Sequence, residues 1–259
     1  MPIAIAAVIP TCDRPDLLVR SVASVLAQTS PADEVIVVDN GTHPVPDGVV
    51  PEHVRVLRIA PRAGVSAARN AGAAAASCEY VAFLDDDDYW DVDYLAEVRA
   101  SVNQHAGVAD VILGRKDRQF EGMVARYKEI TSLDGLRDLL MVKNPGVGGQ
   151  NITARREFIQ RFGGFRLALH GPEDRAFLVD ALDAGADVVL APRAIVVKVI
   201  HPGEQITDGR RSLESTWRFL RIYWRTMNRR QLRKNVKRLR RSLVRSIGLR
   251  ARGLRSPRQ

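Results

Sequence analysis

Cysteine is almost missing: Cys12 and Cys78 are the only two in 259 residues. Two thiols cannot staple a fold of this size, so a disulfide scaffold is excluded and a reducing, cytoplasmic setting is the default expectation. No run reaches the roughly 18 consecutive apolar residues of a membrane-spanning helix, so the chain is expected not to cross a bilayer. The apolar start Ile3 to Ile9 has no basic flank before it and runs into Pro10, which reads as a first strand and not as a secretory leader. Glycine (19) and proline (13) are too sparse for collagen-like or low-complexity chains, and no solenoid-type repeat stands out. The most uneven absence is acid. From Trp217 to Gln259 there is no Asp or Glu but 16 Lys and Arg, so the first 216 residues carry net −7 although the whole chain carries +9. A mildly acidic domain is followed by a basic tail.

What is present suits a globular α/β domain, with 46% hydrophobic residues to fill its core. Strand-like and helix-like segments alternate: strand Ile3 to Ile9, helix Asp16 to Gln28, strands Glu34 to Val38 and Val54 to Ile59, helix Gly64 to Ala76, strand Tyr80 to Leu84 and helix Val92 to Val102. This alternation predicts a mainly parallel central sheet with helices on both faces. The second half is less regular. Val108 to Leu113 reads as a strand, Leu133 to Val142 as a helix, Asn144 to Asn151 as a flexible loop and Arg155 to Phe162 as a short helix. Glu173 to Ala184 reads as a helix, then Asp187 to Leu190 and Ala194 to Ile200 as two strands. The expected organisation is a domain over 1–208, with halves at 1–105 and 106–208, and a helical tail over 209–259.

The strand at Tyr80 runs into Asp85, Asp86, Asp87 and Asp88. Four adjacent carboxylates repel one another, and a divalent cation among them relieves that repulsion. Oxygen ligands without Cys or clustered His favour Mg or Mn, and Mg usually takes one or two carboxylates plus substrate phosphates. The bland alternative is a solvated loop that caps the next helix. Position favours a site, because ligands of open α/β sheets bind at the carboxyl ends of strands.

These residues carry a resemblance. Val8-Ile9-Pro10-Thr11 with Arg14-Pro15, Val37-Val38-Asp39-Asn40-Gly41, Gly64-Val65-Ser66 with Ala68-Arg69-Asn70-Ala71-Gly72, Phe83-Leu84 before the four Asp, and Glu173-Asp174 occur in the order seen in family 2 glycosyltransferases. The chain resembles that family over most of residues 1–205. The resemblance implies a GT-A fold, a nucleotide-sugar donor with UDP the commonest base, a Mn or Mg ion, and inverting transfer. It places Pro10, Thr11, Asp13, Arg14 and Asp39 at the nucleoside and diphosphate, and Arg69 beside phosphate or the acidic loop. Asp39-Asn40-Gly41 is also ordinary turn chemistry.

The family's D-x-D spacing fits Asp85 with Asp87, and equally Asp86 with Asp88. Asp85 and Asp86 are donor-site candidates, and Asp87 is taken as the metal ligand. A base must accept the acceptor hydroxyl's proton, and Asp174 is the candidate, with Glu173 on the acceptor side. Acidic residues in a first helical turn also stabilise the helix dipole without catalysis. His201 is a further metal-ligand candidate or a structural residue at a strand end. Gln150 and Asn151 are acceptor-side candidates that would be equally at home in a turn. Trp90 either stacks on a sugar or sits in the core. No Gln-x-x-Arg-Trp motif follows Asp174; the family's processive synthases carry it, so transfer of a single sugar is expected.

Along the tail, Trp217, Leu220, Tyr223, Trp224, Met227, Leu232, Val236, Leu239, Leu243 and Ile247 recur at three- and four-residue steps among the basic residues. That pattern is an amphipathic basic helix or helix pair, suited to the inner, anionic membrane surface and so to a lipid-linked acceptor. A glycan or a small molecule is the other acceptor class. Nucleic acid is the less favoured partner, and packing of Trp217 to Met227 on the domain is compatible with either. Two rival functions remain: a sugar nucleotidyltransferase, which would need a Gly-rich loop where Thr11-Cys12-Asp13-Arg14-Pro15 stands, and a non-catalytic scaffold acting through its tail.

Overall fold

Strand β1 (Ile5–Thr11) is buried along its whole length. Its pleat sends Ile5, Ala7 and Ile9 into one hydrophobic cluster, and Ala6 and Val8 into a second on the opposite face. A strand apolar on both sides belongs in the middle of a covered sheet. In the computed structural model, which describes residues 3–105, 108–200 and 209–251, β1 lies in a nine-stranded sheet. Strands β2 (Glu34–Asp39) and β4 (Tyr80–Phe83) flank it in parallel, and β3 (Arg55–Arg58) pairs in parallel beyond β2.

The other half of the sheet mixes directions. Beyond β4 come antiparallel β8 (Ile152–Arg155), then β6 (Val111–Phe120), β9 (Val188–Val199) and short β5 (Tyr89–Trp90). Strand β9 runs parallel to β6, and β7 (Met123–Lys128) forms a hairpin with β6.

Helices α1 (Pro15–Leu26) and α3 (Tyr94–Gln104) fill one face with Leu18, Val22, Val25, Leu95, Val98 and Val102. The opposite face is covered by α2 (Val65–Ala75), α5 (Arg156–Phe162) and α6 (Glu173–Asp183). Small residues let α2 lie close on the sheet: a Cβ added at Gly72 would fall 2.3 Å from Val8 Cγ1. Short α4 (Leu136–Leu140) adds Leu136 and Leu140 to the same cluster.

Three expectations change. The segment from Asn144 to Asn151 is not a flexible loop: Gly146 to Asn151 are buried, and the Asn144 side chain accepts from Gly146 N and Val147 N at 2.9 and 2.8 Å. Its turn residues are real, but the turn is packed and leads into β8. The two strands expected at Asp187 and Ala194 are one strand, β9, which follows β6 through a register shift between Gly114 and Arg115. The helix expected over Leu133 to Val142 shrinks to α4.

The tail forms two helices, α7 (Gly209–Tyr223) and α8 (Arg229–Ala251). Phe219 and Tyr223 are buried in the domain's own core cluster, and the Tyr223 hydroxyl donates to Asp180 at 2.8 Å. Helix α8 docks through Asn235, which donates to Met141 O at 2.8 Å, and Gln231, which donates to Asp138 Oδ1 at 3.0 Å. Trp217 and Trp224 stay about half exposed. No helix among the described residues is long and apolar enough to cross a membrane.

Candidate active site

The carboxyl ends of β1, β2 and β4 meet at one edge of the sheet, and most of the candidate residues gather there. Burial alternates along the acidic run: Asp86 and Asp88 are 1% and 0% exposed, whereas Asp85 and Asp87 are partly open. The two buried carboxylates build the loop. Asp86 accepts from the Thr11 hydroxyl at 2.8 Å and pairs with Arg14 at 2.7 Å. Asp88 accepts from Val199 N at 3.0 Å and from Gln150 Nε2 at 2.9 Å. The Ser21 hydroxyl sits between the Asp86 and Asp88 carbonyl oxygens, at 2.7 and 2.9 Å. Desolvation pushes the Asp86 carboxyl up to about 7 against the pull of Arg14. It pushes Asp88 up to about 8, with Asp85 and Asp87 adding to the rise.

Asp85 and Asp87 are partly open, and each pairs with an arginine through one oxygen. Asp85 Oδ1 pairs with Arg69 at 2.5 Å, and Asp87 Oδ2 with Arg14 at 3.1 Å. Burial works against the Asp85 charge, but Arg69, Lys198 and Lys116 hold its pKa below the usual carboxylate value. One oxygen each from Asp85, Asp87 and Asp88 lie within 4.8 Å of one another. An all-carboxylate set of that span fits a hard divalent ion. Because both Asp88 oxygens are already hydrogen-bonded, Asp85 and Asp87 are the ligands best able to hold it.

Arg69 ties the donor edge to the second half. It is 2% exposed, its guanidinium lies over the Phe165 ring at 5.1 Å, and Glu173 stands 3.7 Å from it. Gly149 makes room for it, since a Cβ there would fall 2.1 Å from Arg69 Cζ. Asp174, one residue beyond Glu173, makes one hydrogen bond among the described residues, from Arg175 N at 2.6 Å. Its second oxygen has no hydrogen-bond partner among the described residues. Burial and the Glu173 charge push the Asp174 pKa up to about 6, against Lys116 and Arg69.

Other candidates are placed differently. Asp13, at φ 55°, accepts from Thr42 N at 2.7 Å and pairs with Arg62 at 2.8 Å, so it folds the loop beside β2. Asp39 accepts from Gly41 N and Val45 N and pairs with Arg58, which shapes the hollow lined by Thr11, Arg14, Pro15 and Pro44. Pro10 is buried inside β1, in register with Val38. Asn151 spends its amide on Gly148 N, Gly114 O and Gly146 O, and Gln150 spends its own on Asp88. Both hold the packed turn that supports the site. Trp90 is core, stacked on Tyr94 at 4.5 Å with Nε1 donating to Gln150 O. His201 lies outside the described residues.

Two lysines escaped the sequence reading. Lys116 on β6 is buried beside Asp174, Asp88 and Asp85, and desolvation lowers its pKa. Lys198 on β9 is raised by Asp88, Asp85 and Asp87, which together outweigh its desolvation. The polar run Arg115-Lys116-Asp117-Arg118 carries no strand signal of its own; it becomes a strand by pairing with β9.

A parallel β3-β2-β1-β4 half-sheet with an acidic loop at its carboxyl edge, extended by a mixed half that brings a second carboxylate to that edge, defines a GT-A glycosyltransferase frame. The model of the family described as glycosyl transferase family 2 matches residues 6–163, and the chain belongs to that family. The succinoglycan biosynthesis proteins ExoW and ExoO of Rhizobium meliloti are similar to it. ExoW is 27% identical over 214 residues, 71% of this chain and 65% of ExoW; ExoO is 29% identical over 202 residues, 73% and 58%. The chain thus spans about three fifths of these relatives. The structure of S. aureus TarS 1–349 in complex with UDP-GlcNAc superposes with a TM-score of 0.62 at 18% identity, over 95% of this chain and 73% of that 1–349 chain. The family match stops before Glu173 and the two tail helices.

Proposed function

We propose that the protein transfers a single sugar from a nucleotide-sugar donor, a nucleoside diphosphate sugar, to an acceptor hydroxyl, with inversion at the anomeric carbon. The observation that carries this reading is the partly open pair Asp85 and Asp87, held by Arg69 and Arg14 and linked through Arg69 to Glu173 and the neighbouring Asp174. Asp87, with Asp85, holds the Mn or Mg ion; when bound, the ion neutralises charge on the departing diphosphate. Thr11, Arg14 and the hollow under Asp39 take the nucleoside side of the donor. Asp174 accepts the acceptor's proton as its oxygen bonds to the anomeric carbon and the bond to the diphosphate breaks. Lys116, on which Asp174, Asp88 and Asp85 all act, works against the burial and the Glu173 charge that raise the Asp174 pKa. Absence of the Gln-x-x-Arg-Trp motif supports one transfer per encounter.

Bacterial polysaccharide synthesis is the setting supported by the names of ExoW and ExoO, and UDP is the base supported by the TarS complex. The exposed Trp217, Trp224 and cationic residues of α8 support contact with the cytoplasmic face of an anionic membrane, where a lipid-linked acceptor would be met.

Thermal denaturation with UDP, GDP, CDP and dTDP, each with and without Mn, tests the donor site, because a ligand specific to the native state raises Tm. One nucleotide should give a Mn-dependent rise that Asp87→Ala abolishes. No rise with any of the four would remove the donor-site assignment.

A further inference from the structure

Two arginines lie where α6, α7 and α8 meet, and among the described residues no carboxylate pairs with either, although Asp174 acts on Arg175 from the same helix. Arg175 on α6 is 6% exposed, its guanidinium stacks on Phe219 at 3.6 Å, and its buried Nε has no partner. Arg238 on α8 is partly buried and close enough to act on Arg175 electrostatically. Among the described residues neither side chain takes part in a hydrogen bond or an ion pair. The other well-buried arginines differ: Arg69 has Asp85 and Arg99 has Asp33. Desolvation, with Arg238 adding to it and Asp174 working against both, lowers the Arg175 pKa to about 10, so it stays charged at neutral pH. Burial alone lowers Arg238. Like charges kept together out of water are unfavourable unless an opposite charge joins them.

We propose that Arg175 and Arg238 form an oxyanion site that takes a phosphate group. Two guanidinium forks match the several acceptor oxygens of a phosphate, and Arg keeps its charge on burial better than Lys. The phosphate comes either from solution or from an anionic lipid headgroup, delivered along the exposed Arg233, Lys237, Arg240 and Arg241 of α8. Arg175 also donates its backbone N–H to Asp174, so an ion that fixes Arg175 steadies the first turn of α6. The site does not depend on the transferase reading, and its test needs no sugar donor.

The full chain is melted in inorganic phosphate and in chloride at equal ionic strength, as wild type, Arg238→Gln and Arg233→Gln. Wild type and Arg233→Gln should gain about 3 °C at ten times the dissociation constant, and Arg238→Gln should gain nothing. Without phosphate, Arg238→Gln should melt no lower than wild type, because it removes a like-charged neighbour. Should Arg238→Gln fail to fold, Arg238→Lys keeps the charge and should still bind phosphate more weakly for want of the fork. Sedimentation with phosphatidylglycerol vesicles then separates the sources. A headgroup site predicts that Arg238→Gln loses more than the roughly fivefold expected for one surface cation, and that phosphate competes. A solution phosphate site predicts an equal, small loss for Arg238→Gln and Arg233→Gln. Absence of a phosphate-specific shift in wild type, or a shift that Arg238→Gln keeps in full, would overturn the proposal.

Discussion

The acidic edge of the sheet and the junction of the last helices handle buried charge in opposite ways. At the edge, the charges answer one another inside the chain: Arg69 meets Asp85, Arg14 meets Asp86 and Asp87, and Arg58 meets Asp39. At the junction, Arg238 adds positive charge to the buried Arg175, whose Nε has no partner among the described residues, and Asp174 offsets that charge without forming an ion pair. A site whose charges are paired before any ligand arrives is preorganised for chemistry. A site whose charges are left open is completed by something from outside. The sequence accounts for half of the distinction: Arg238 lies in the stretch from Trp217 onward that holds no acid, whereas Arg175 follows Glu173 and Asp174 in the mixed part.

The sharpest test of the paired region is Asp174→Asn. If Asp174 is the base, turnover should fall by about 10²–10⁴. The same change should raise stability at pH 7.5. The Asp174 pKa is raised to about 6 in the fold, so its proton stabilises the native state at low pH and that contribution is lost as pH rises through 6. Asn removes the buried charge, and its advantage in Tm should fade below about pH 4, where the unfolded carboxyl is also protonated. In the wild type, kcat/KM should rise as pH passes 6. Unchanged turnover in Asp174→Asn would move the base elsewhere.

Phe219→Ala probes whether the second region is an appendage. Phe219 is fully buried in the domain core although it lies in the basic segment. Its truncation should cost about 3–5 kcal/mol in urea unfolding. A loss below about 1 kcal/mol would mean that α7 is not part of the cooperative fold.

Gly149→Ala comes next, at roughly 1–3 kcal/mol from overpacking. The new Cβ would meet the Arg69 guanidinium at 2.1 Å and push it from Asp85. Mn affinity, read by calorimetry, should weaken along with stability. Lost stability with intact Mn binding would separate Arg69 from the metal site.

Much of the paired region was legible in the sequence because its signals are local. Val35 to Val38 is a run of apolar, mostly β-branched residues that reads as a strand in isolation, and the four Asp follow an apolar strand directly. The register within those four was not legible: it rests on Thr11, Ser21 and Gln150 claiming Asp86 and Asp88, contacts made across 62–75 residues of chain. Lys116 and Lys198 stayed hidden for the same reason, since their strand pairing is tertiary. The turn at Asn144 was visible, but its burial was not, because polar turn residues look solvated until Asn151 is seen bonding to Gly114 and Gly146. The tail's helical period was plain, yet the same period serves a membrane or a core. Tyr223, buried against Asp180, shows that the core takes the first of the two helices.

The smallest stability effect is expected on the open face of that tail, in Arg233→Gln with Lys237→Gln. Both side chains are exposed, and neither should change stability by more than about 0.5 kcal/mol. If the face serves an anionic surface, the same pair should weaken vesicle binding by about 1 kcal/mol per charge, and the difference should shrink as salt shortens the screening length. A double variant that melts like wild type but leaves the vesicles earlier would show that these charges act on a partner and not on the fold. If it melts lower and binds unchanged, the open charges stabilise the chain itself, and the contrast between the two regions collapses.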